Sequence, residues 1–217
     1  MLKTIGITGN SGSGKTTVCN ILRQRGAHII DADKIARYLA EPGQPVYDAL
    51  IAAFGVAILQ SDATINRQKL ADIAFATEEG RQKLMAATHP PIVAEIRREM
   101  TAIQQNPNGV RLIVLDAPLL VEAGLHHDVS AVWLVEADAA LKQSRVMARD
   151  SLTADQAESR LNAQPAETAL VAYATHVLSN NGNLADLEAQ VCVHLQALIK
   201  NGKGVYPCKS KKAIRRH

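Results

Sequence analysis

Lys3–Thr16, KTIGITGNSGSGKT, is the stretch on which the reading of this chain turns. Its first six residues, Lys3–Thr8, form a short apolar run of the kind that makes a buried strand. The next eight, Gly9-Asn-Ser-Gly-Ser-Gly-Lys-Thr16, match the pattern G-x-x-x-x-G-K-[ST] in full. Glycines at these positions let the backbone turn tightly, so that successive N–H groups point inward as an anion nest. A helix follows from about Lys15 to Arg25, with Val18, Cys19, Ile21 and Leu22 on its inner face and Gly26 as its stop. Its positive dipole end adds to the same nest. A glycine-rich turn without a ligand would not need to lie between a strand and a helix, and this one does. The segment Asn10, Ser11, Gly12, Ser13, Gly14, Lys15, Thr16, Thr17 is therefore expected to hold a nucleotide. Lys15 reaches the β- and γ-phosphates, and the Thr16 hydroxyl is placed to hold Mg²⁺.

Working outward, Ala27–Asp31, Leu112–Asp116 and Ala131–Val135 are further apolar runs of strand length, and Val177–Leu178 centres a shorter one. Helical patterns separate them. That alternation predicts an α/β fold, a parallel sheet of about five strands with helices on both faces. Between Asp33 and Gly109 no strand is legible. Helical signals occupy Val46–Phe54, Arg67–Phe75, Glu78–Ala87 and Pro90–Gln105, the last with Ile92, Val93, Ile96, Met100 and Ile103 on one face. So long an excursion between two sheet strands predicts a helical insertion forming one wall of a cleft, closed by the turn Asn106-Pro-Asn-Gly109. Leu184, Leu187, Val191, Leu195 and Leu198 line a closing helix. A single domain is expected, with a core of about residues 1–33, 109–144 and 171–200, an insertion over 34–108, a lid over 145–170 and a basic tail over 201–217.

Hydrophobic residues at 47% and charged residues at 21% of the 217 describe an ordinary globular chain. Aromatics at 3% argue against a nucleic-acid surface of stacked rings. No apolar run approaches the roughly 20 residues of a membrane span, and no secretory signal opens the chain. The formal charge of +3 misleads as an average: Lys200–His217 carries seven Lys/Arg and no acid, leaving 17 basic against 21 acidic side chains before it. The tail reads as a solvated terminus. Cys19, Cys192 and Cys208 stand in no metal-ligand spacing, and a reducing, cytoplasmic setting fits them.

Other residues carry chemistry by position. Asp31 and Asp33 close the second strand, at the carboxyl end where such sheets bind ligands. Asp31 reads as a helix cap, whereas Asp33 divides evenly between capping and accepting a hydroxyl proton during phosphoryl transfer. Asp116 ends the third strand, where a carboxylate commonly assists Mg²⁺; a surface Asp before a proline turn is the other reading. Lys142, Arg145 and Arg149 share one helical face, with Arg160 soon after; they read either as a solvated face or as a lid closing over ATP. Thr88-His89-Pro90-Pro91 reads as the capped start of the long helix, with His89 a possible substrate contact. Asp116 is followed by Ala-Pro-Leu and no Asn-Lys pair occurs, which sets aside a GTPase; no Leu-Ser-Gly-Gly-Gln motif marks a transporter.

Taken in order, these segments resemble the dephospho-coenzyme A kinase family over most of residues 2–200. The likeness runs through Ile5–Thr16, Asp31-Ala-Asp33, Arg67 with Leu70, Thr88-His-Pro90, Asp116-Ala-Pro-Leu-Leu-Val-Glu122, Arg145 with Arg149, and Arg160 with Gln164. It implies a P-loop nucleoside triphosphate hydrolase-type fold, with ATP as donor, Mg²⁺, and dephospho-coenzyme A as a small-molecule acceptor phosphorylated on its ribose 3′-hydroxyl. Asp33 and Lys15 become the catalytic residues. Arg145 and Arg149 become nucleotide-binding lid residues, and Thr16 and Asp116 the metal side. The insertion becomes acceptor-binding, with Asp33, His89 and Pro118, Leu119 and Leu120 at the substrate. No nucleic-acid or membrane partner is implied, and the chain is expected to act as a monomer or small homo-oligomer. Two positions depart from the family pattern: Thr175-His176 stands where an Ala-Asp pair is usual, and Asn66 where Asp is usual. A kinase for another hydroxyl or nucleoside monophosphate acceptor, and a nucleotide-binding regulator whose basic tail holds RNA or membrane, are the competing readings.

Overall fold

Strand-forming runs buried on both faces are what the centre of a helix-covered parallel sheet requires, and three such strands lie here between two less buried edge strands. In the computed structural model, which describes residues 2–164 and 167–200 (of residues 199 and 200 the backbone only), β1 (Lys3–Thr8), β2 (Ala27–Asp31), β3 (Leu112–Asp116), β4 (Ala131–Glu136) and β5 (His176–Ser179) form one sheet. Its order is β2-β3-β1-β4-β5, and all the pairings are parallel. Side chains alternate with period two. Ile5, Ile7, Leu112, Val114, Trp133 and Val135 face α1 (Lys15–Arg23) and α9 (Leu184–Lys200) in one core. Ile113, Leu115 and Val132 face Ile96 and Met100 of α5 (Glu78–Gln105) in the other. Both cores are built from aliphatic side chains with Trp133 as the one large ring, as the scarcity of aromatics foretold.

The excursion between β2 and β3 is helical. It comprises α2 (Ala32–Leu39), α3 (Pro45–Phe54), α4 (Arg67–Ala74) and α5. Leu39, Val46, Leu50 and Ile58 give it a small core of its own, against which Leu70, Leu84 and Ile92 pack. Ile35 and Ile92 also touch the sheet-side core, so these two side chains link the insertion's own core to the one that Ile96 and Met100 of α5 form with the sheet. Its one strand-like feature among the described residues is a bridge between Leu59 and Ile65.

The long helix corrects the sequence reading. Two helices, the second opened by a Thr88-His89-Pro90 cap, were expected; instead α5 runs unbroken through Pro90 and Pro91. Its cap is Thr77, whose side chain accepts from the Gly80 amide at 3.0 Å. Thr88 lies in the interior and its hydroxyl donates back to the Leu84 carbonyl at 2.8 Å. Proline removes a helical N–H and disfavours the α conformation of the residue before it. Packing outweighs this: Leu84, Ala87 and Ile92 on either side of the prolines sit against the same insertion core.

After β4 come α6 (Ala139–Asp150), α7 (Ala154–Asn162) and α8 (Glu167–Val171). A capping box between Thr153 and Gln156 starts α7. Asp31 caps α2 as expected, accepting from the Lys34 amide at 3.0 Å. Cys19 is buried and free. Among the described residues no helix is long and apolar enough to cross a membrane. The basic tail over 201–217 and Cys208 lie outside the described residues.

Candidate active site

The site lies at the carboxyl ends of β1, β2 and β3, where the register sets Asp31 beside Asp116 and Asp116 beside Ile7. β1 then enters the glycine loop. Gly9, Gly12 and Gly14 take φ of 141°, 79° and 103°. At Gly12 a Cβ would stand 2.5 Å from the Lys142 carbonyl oxygen, so only glycine lets α6 lie against the loop.

The back of the loop is tied down by its carbonyls. Ser13 N–H donates to the Asn10 carbonyl at 3.2 Å. Asn180, just past β5, donates from Nδ2 to the Ser13 carbonyl at 2.7 Å. Arg145 donates to the Gly12 carbonyl at 3.1 Å and the Asn180 carbonyl at 3.0 Å. Gln164, beyond α7, grips Ser11 twice: Oε1 accepts from its N–H at 2.8 Å and Nε2 donates to its hydroxyl at 3.0 Å. The front stays open, since the amides of Gly12, Gly14, Lys15 and Thr16 have no acceptor among the described residues. Lys15 folds its ammonium over the loop onto the Gly9 and Asn10 carbonyls, and the Thr16 side chain is exposed. This donor set suits a polyphosphate, and an exposed hydroxyl on the first helical turn suits its divalent cation.

Charge is concentrated here against burial. Burial pushes the Lys15 ammonium below its ordinary range, opposed by Asp116 and Asp33. It pushes the Asp116 carboxyl up, opposed by the Cys19 thiol and Lys15. Burial also lowers His89, with Glu122 pulling the other way.

Two clefts open from this centre. One, of about 790 Å³, is lined by Asn10–Gly12, Gly14–Thr16, Asp116, Pro118, Arg145, Arg149 and Arg160. The other, of about 870 Å³, runs through the insertion past Arg67, Leu70, Leu84, Thr88, His89 and Ile92. They share three residues: Asp33, Arg37 and Leu119. Asp33, in the first turn of α2 and not its cap, thus faces both.

Several expected site residues are not in the clefts. Leu120 is wholly buried beneath Gly6, where a Cβ would lie 2.6 Å from its Cδ2; it is a core residue. Ser13 is fully buried and, with Thr17, lines neither cleft. Lys142 pairs with Glu167 at 2.6 Å, although Arg145 and Arg149 from the same face do line the cleft at the glycine loop. Asp150 holds Arg149 and Arg160, each at 2.8 Å. The sequence reading gave no role to Arg37, Gln164 or Asn180. Arg37 was detectable as i+4 from Asp33 on one helix face; the loop-tying amides gave no such signal.

The two departures acquire local roles. The Thr175 hydroxyl donates to the Val132 carbonyl at 2.9 Å and accepts from its N–H at 3.1 Å, fixing β5 to β4. Asn66 caps α4, accepting from the Lys69 amide at 3.0 Å, a task Asp performs equally well.

Comparison with known proteins accords with this geometry. The family model described as dephospho-CoA kinase matches residues 3–186. A dephospho-CoA kinase of Moorella thermoacetica is 43% identical over 195 residues, 89% of this chain and 91% of that one. Among solved structures, a Thermus thermophilus protein superposes with a TM-score of 0.77 at 31% identity, covering 91% of this chain and 98% of its own. A dephospho-CoA kinase from Campylobacter jejuni does so at 0.66 and 26%, covering 93% and 99%. With a family match over residues 3–186 and a relative 43% identical across nearly its whole length, the chain belongs to the dephospho-CoA kinase family.

Proposed function

We propose that this protein transfers the γ-phosphoryl group of ATP to the ribose 3′-hydroxyl of dephospho-coenzyme A, giving coenzyme A and ADP. The observation that carries the reading is the meeting of the two clefts at Asp33: a donor site rich in amides and cations opens onto an acceptor groove across a single carboxylate.

The roles follow from the chemistry each group can perform. The open amides of the loop and the Lys15 ammonium bind the β- and γ-phosphates and spread the charge that moves between them. Asp33 accepts the proton of the acceptor hydroxyl as its oxygen bonds to the γ-phosphorus. The bond from that phosphorus to the β–γ bridging oxygen breaks, and ADP leaves with the electron pair. Mg²⁺, held by the Thr16 hydroxyl with Asp116 behind it, would neutralise charge on the β- and γ-oxygens. Arg149 and Arg160 close the donor side, and residues 145–170 act as a lid that excludes water. The insertion over 34–108 holds the acceptor, with His89, Pro118 and Leu119 along its path. The same reading makes the protein a cytoplasmic enzyme acting on small molecules, as a monomer or small homo-oligomer.

The test is an acceptor panel. Purified protein with ATP and Mg²⁺ is offered dephospho-coenzyme A, a nucleoside monophosphate, shikimate and adenosine, and ADP release is followed. Release with dephospho-coenzyme A and a product of coenzyme A mass is expected. Turnover of the monophosphate with none of dephospho-coenzyme A would overturn the assignment.

A further inference from the structure

Two histidines and the tryptophan cluster at the β5 edge of the sheet, away from both clefts. His176 opens β5 and pairs in register with Trp133 of β4. With period two, it falls on the same face as Leu178, the face that α9 covers. From α9 comes His194, beside Val191 and Leu195 of its packed stripe. The two imidazoles meet with ring centres 4.5 Å apart, and Trp133 lies 6.0 Å from His176 and 5.8 Å from His194. Both histidines are half-buried, within reach of an ion from solvent. His176 also belongs to one of the two departures from the family pattern, so the family's common chemistry does not account for it.

The neighbouring threonine sets the tautomer of His176. A hydroxyl has one proton to give, and Thr175 gives its own to the Val132 carbonyl. Toward His176 Nδ1, 3.0 Å away, it can therefore only accept. In the neutral ring Nδ1 then carries the proton, and Nε2 keeps a free lone pair. A metal-ligating histidine is held in this way, one nitrogen donating to a fixed oxygen and the other facing the ion. Among the described residues no hydrogen bond engages His176 Nε2 or either ring nitrogen of His194. The buried Trp133 N–H has no acceptor there either, so it does not occupy them. An ion with bonds of about 2.1 Å to two imidazoles, at roughly 90–110° to each other, would set the ring centres about 4.5–5 Å apart. The observed spacing falls in that range.

We propose that His176 and His194 form a binding site for a divalent transition-metal ion of the Zn²⁺, Ni²⁺ or Cu²⁺ class, clamping β5 to α9. Imidazole nitrogen favours these ions, whereas Mg²⁺ takes oxygen, so the site does not compete for the cation at Thr16. Among the described residues no group of three or more His, Cys, Asp or Glu stands ready for a metal, so water fills the remaining positions. The site is independent of the phosphoryl-transfer reading.

Trp133 is the chain's only tryptophan, so its emission reports on an ion bound beside it. NiCl2 is titrated into the full-length, EDTA-treated and desalted protein with excess Mg²⁺ present, above the ordinary imidazole pKa of about 6.5. Ni²⁺ should quench Trp133 saturably, and ZnCl2, which has no unpaired electrons, should restore the emission by displacing it. His176→Gln and His194→Gln should each weaken the apparent Ni²⁺ affinity by at least the roughly tenfold that loss of an outer partner alone can cost. The two positions lie on different elements, so a folding defect in one variant, seen in its thermal melt, leaves the other to decide. Wild-type emission that Ni²⁺ leaves unchanged, or a folded variant that keeps its affinity within about threefold of wild type, would overturn the site.

Discussion

At the scale of single residues, the sequence told most where chemistry and conformation demand the same residue. The glycine loop is of this kind: its positive φ angles, its open amides and Lys15 are all implicit in GNSGSGKT. Asp31 and Asp33 were harder to tell apart, since both are carboxylates at a strand end, and the structure separates them by what they touch. Asp31 is occupied with the Lys34 amide, whereas Asp33 borders both clefts. Leu120 was misread because its neighbours Pro118 and Leu119 do line the cleft, and a sequence cannot say which of adjacent apolar residues points inward. His89 carries a pH prediction. Burial lowers its pKa below the ordinary 6.5, so the folded chain binds fewer protons there than the unfolded one. Its contribution to stability is full above the unfolded value and is lost progressively as pH falls from there toward the folded pKa. Urea denaturation at pH 7.5 and 5.5 should show a smaller acid-side loss in His89→Gln than in wild type; equal losses would refute the effect.

At the scale of elements, the sheet was legible because period and turn signals agree. Each strand centres on a short apolar run, and the three central ones, β1, β3 and β4, are buried on both faces. The long helix was not, because Pro90-Pro91 is a local signal to stop and the packing of Leu84, Ala87 and Ile92 on one insertion core is a non-local reason to continue. The lid shows the same division. Its arginines were visible, but their present partner Asp150 and the Gln164 grip on Ser11 depend on how α7 turns back over the loop. That grip makes a prediction for the lid as an element. Gln164→Ala removes both contacts to Ser11, each worth about 1 kcal/mol. The ATP KM should rise about fivefold or more while the acceptor KM stays nearly unchanged. Equal effects on both substrates, or none, would show that the grip does not serve the donor side.

At the scale of the molecule, one arrangement organises the account. A parallel sheet brings a phosphate-binding loop and two carboxylates to one edge, and a helical insertion with its own small core walls off a second cleft. The first half of that was readable from order alone. The second was readable as a length, some 75 residues without a strand, but not as a groove, because its walls come from four helices distant in sequence. The central claim is that the two clefts work as one reaction site through Asp33. It is tested most directly by comparing Asp33→Asn with wild type, measuring turnover of dephospho-coenzyme A alongside the affinity for ATP. The account predicts turnover lowered by roughly 10²-fold or more with ATP affinity nearly unchanged, the usual scale for a positioned base; near-normal turnover in the variant would contradict it.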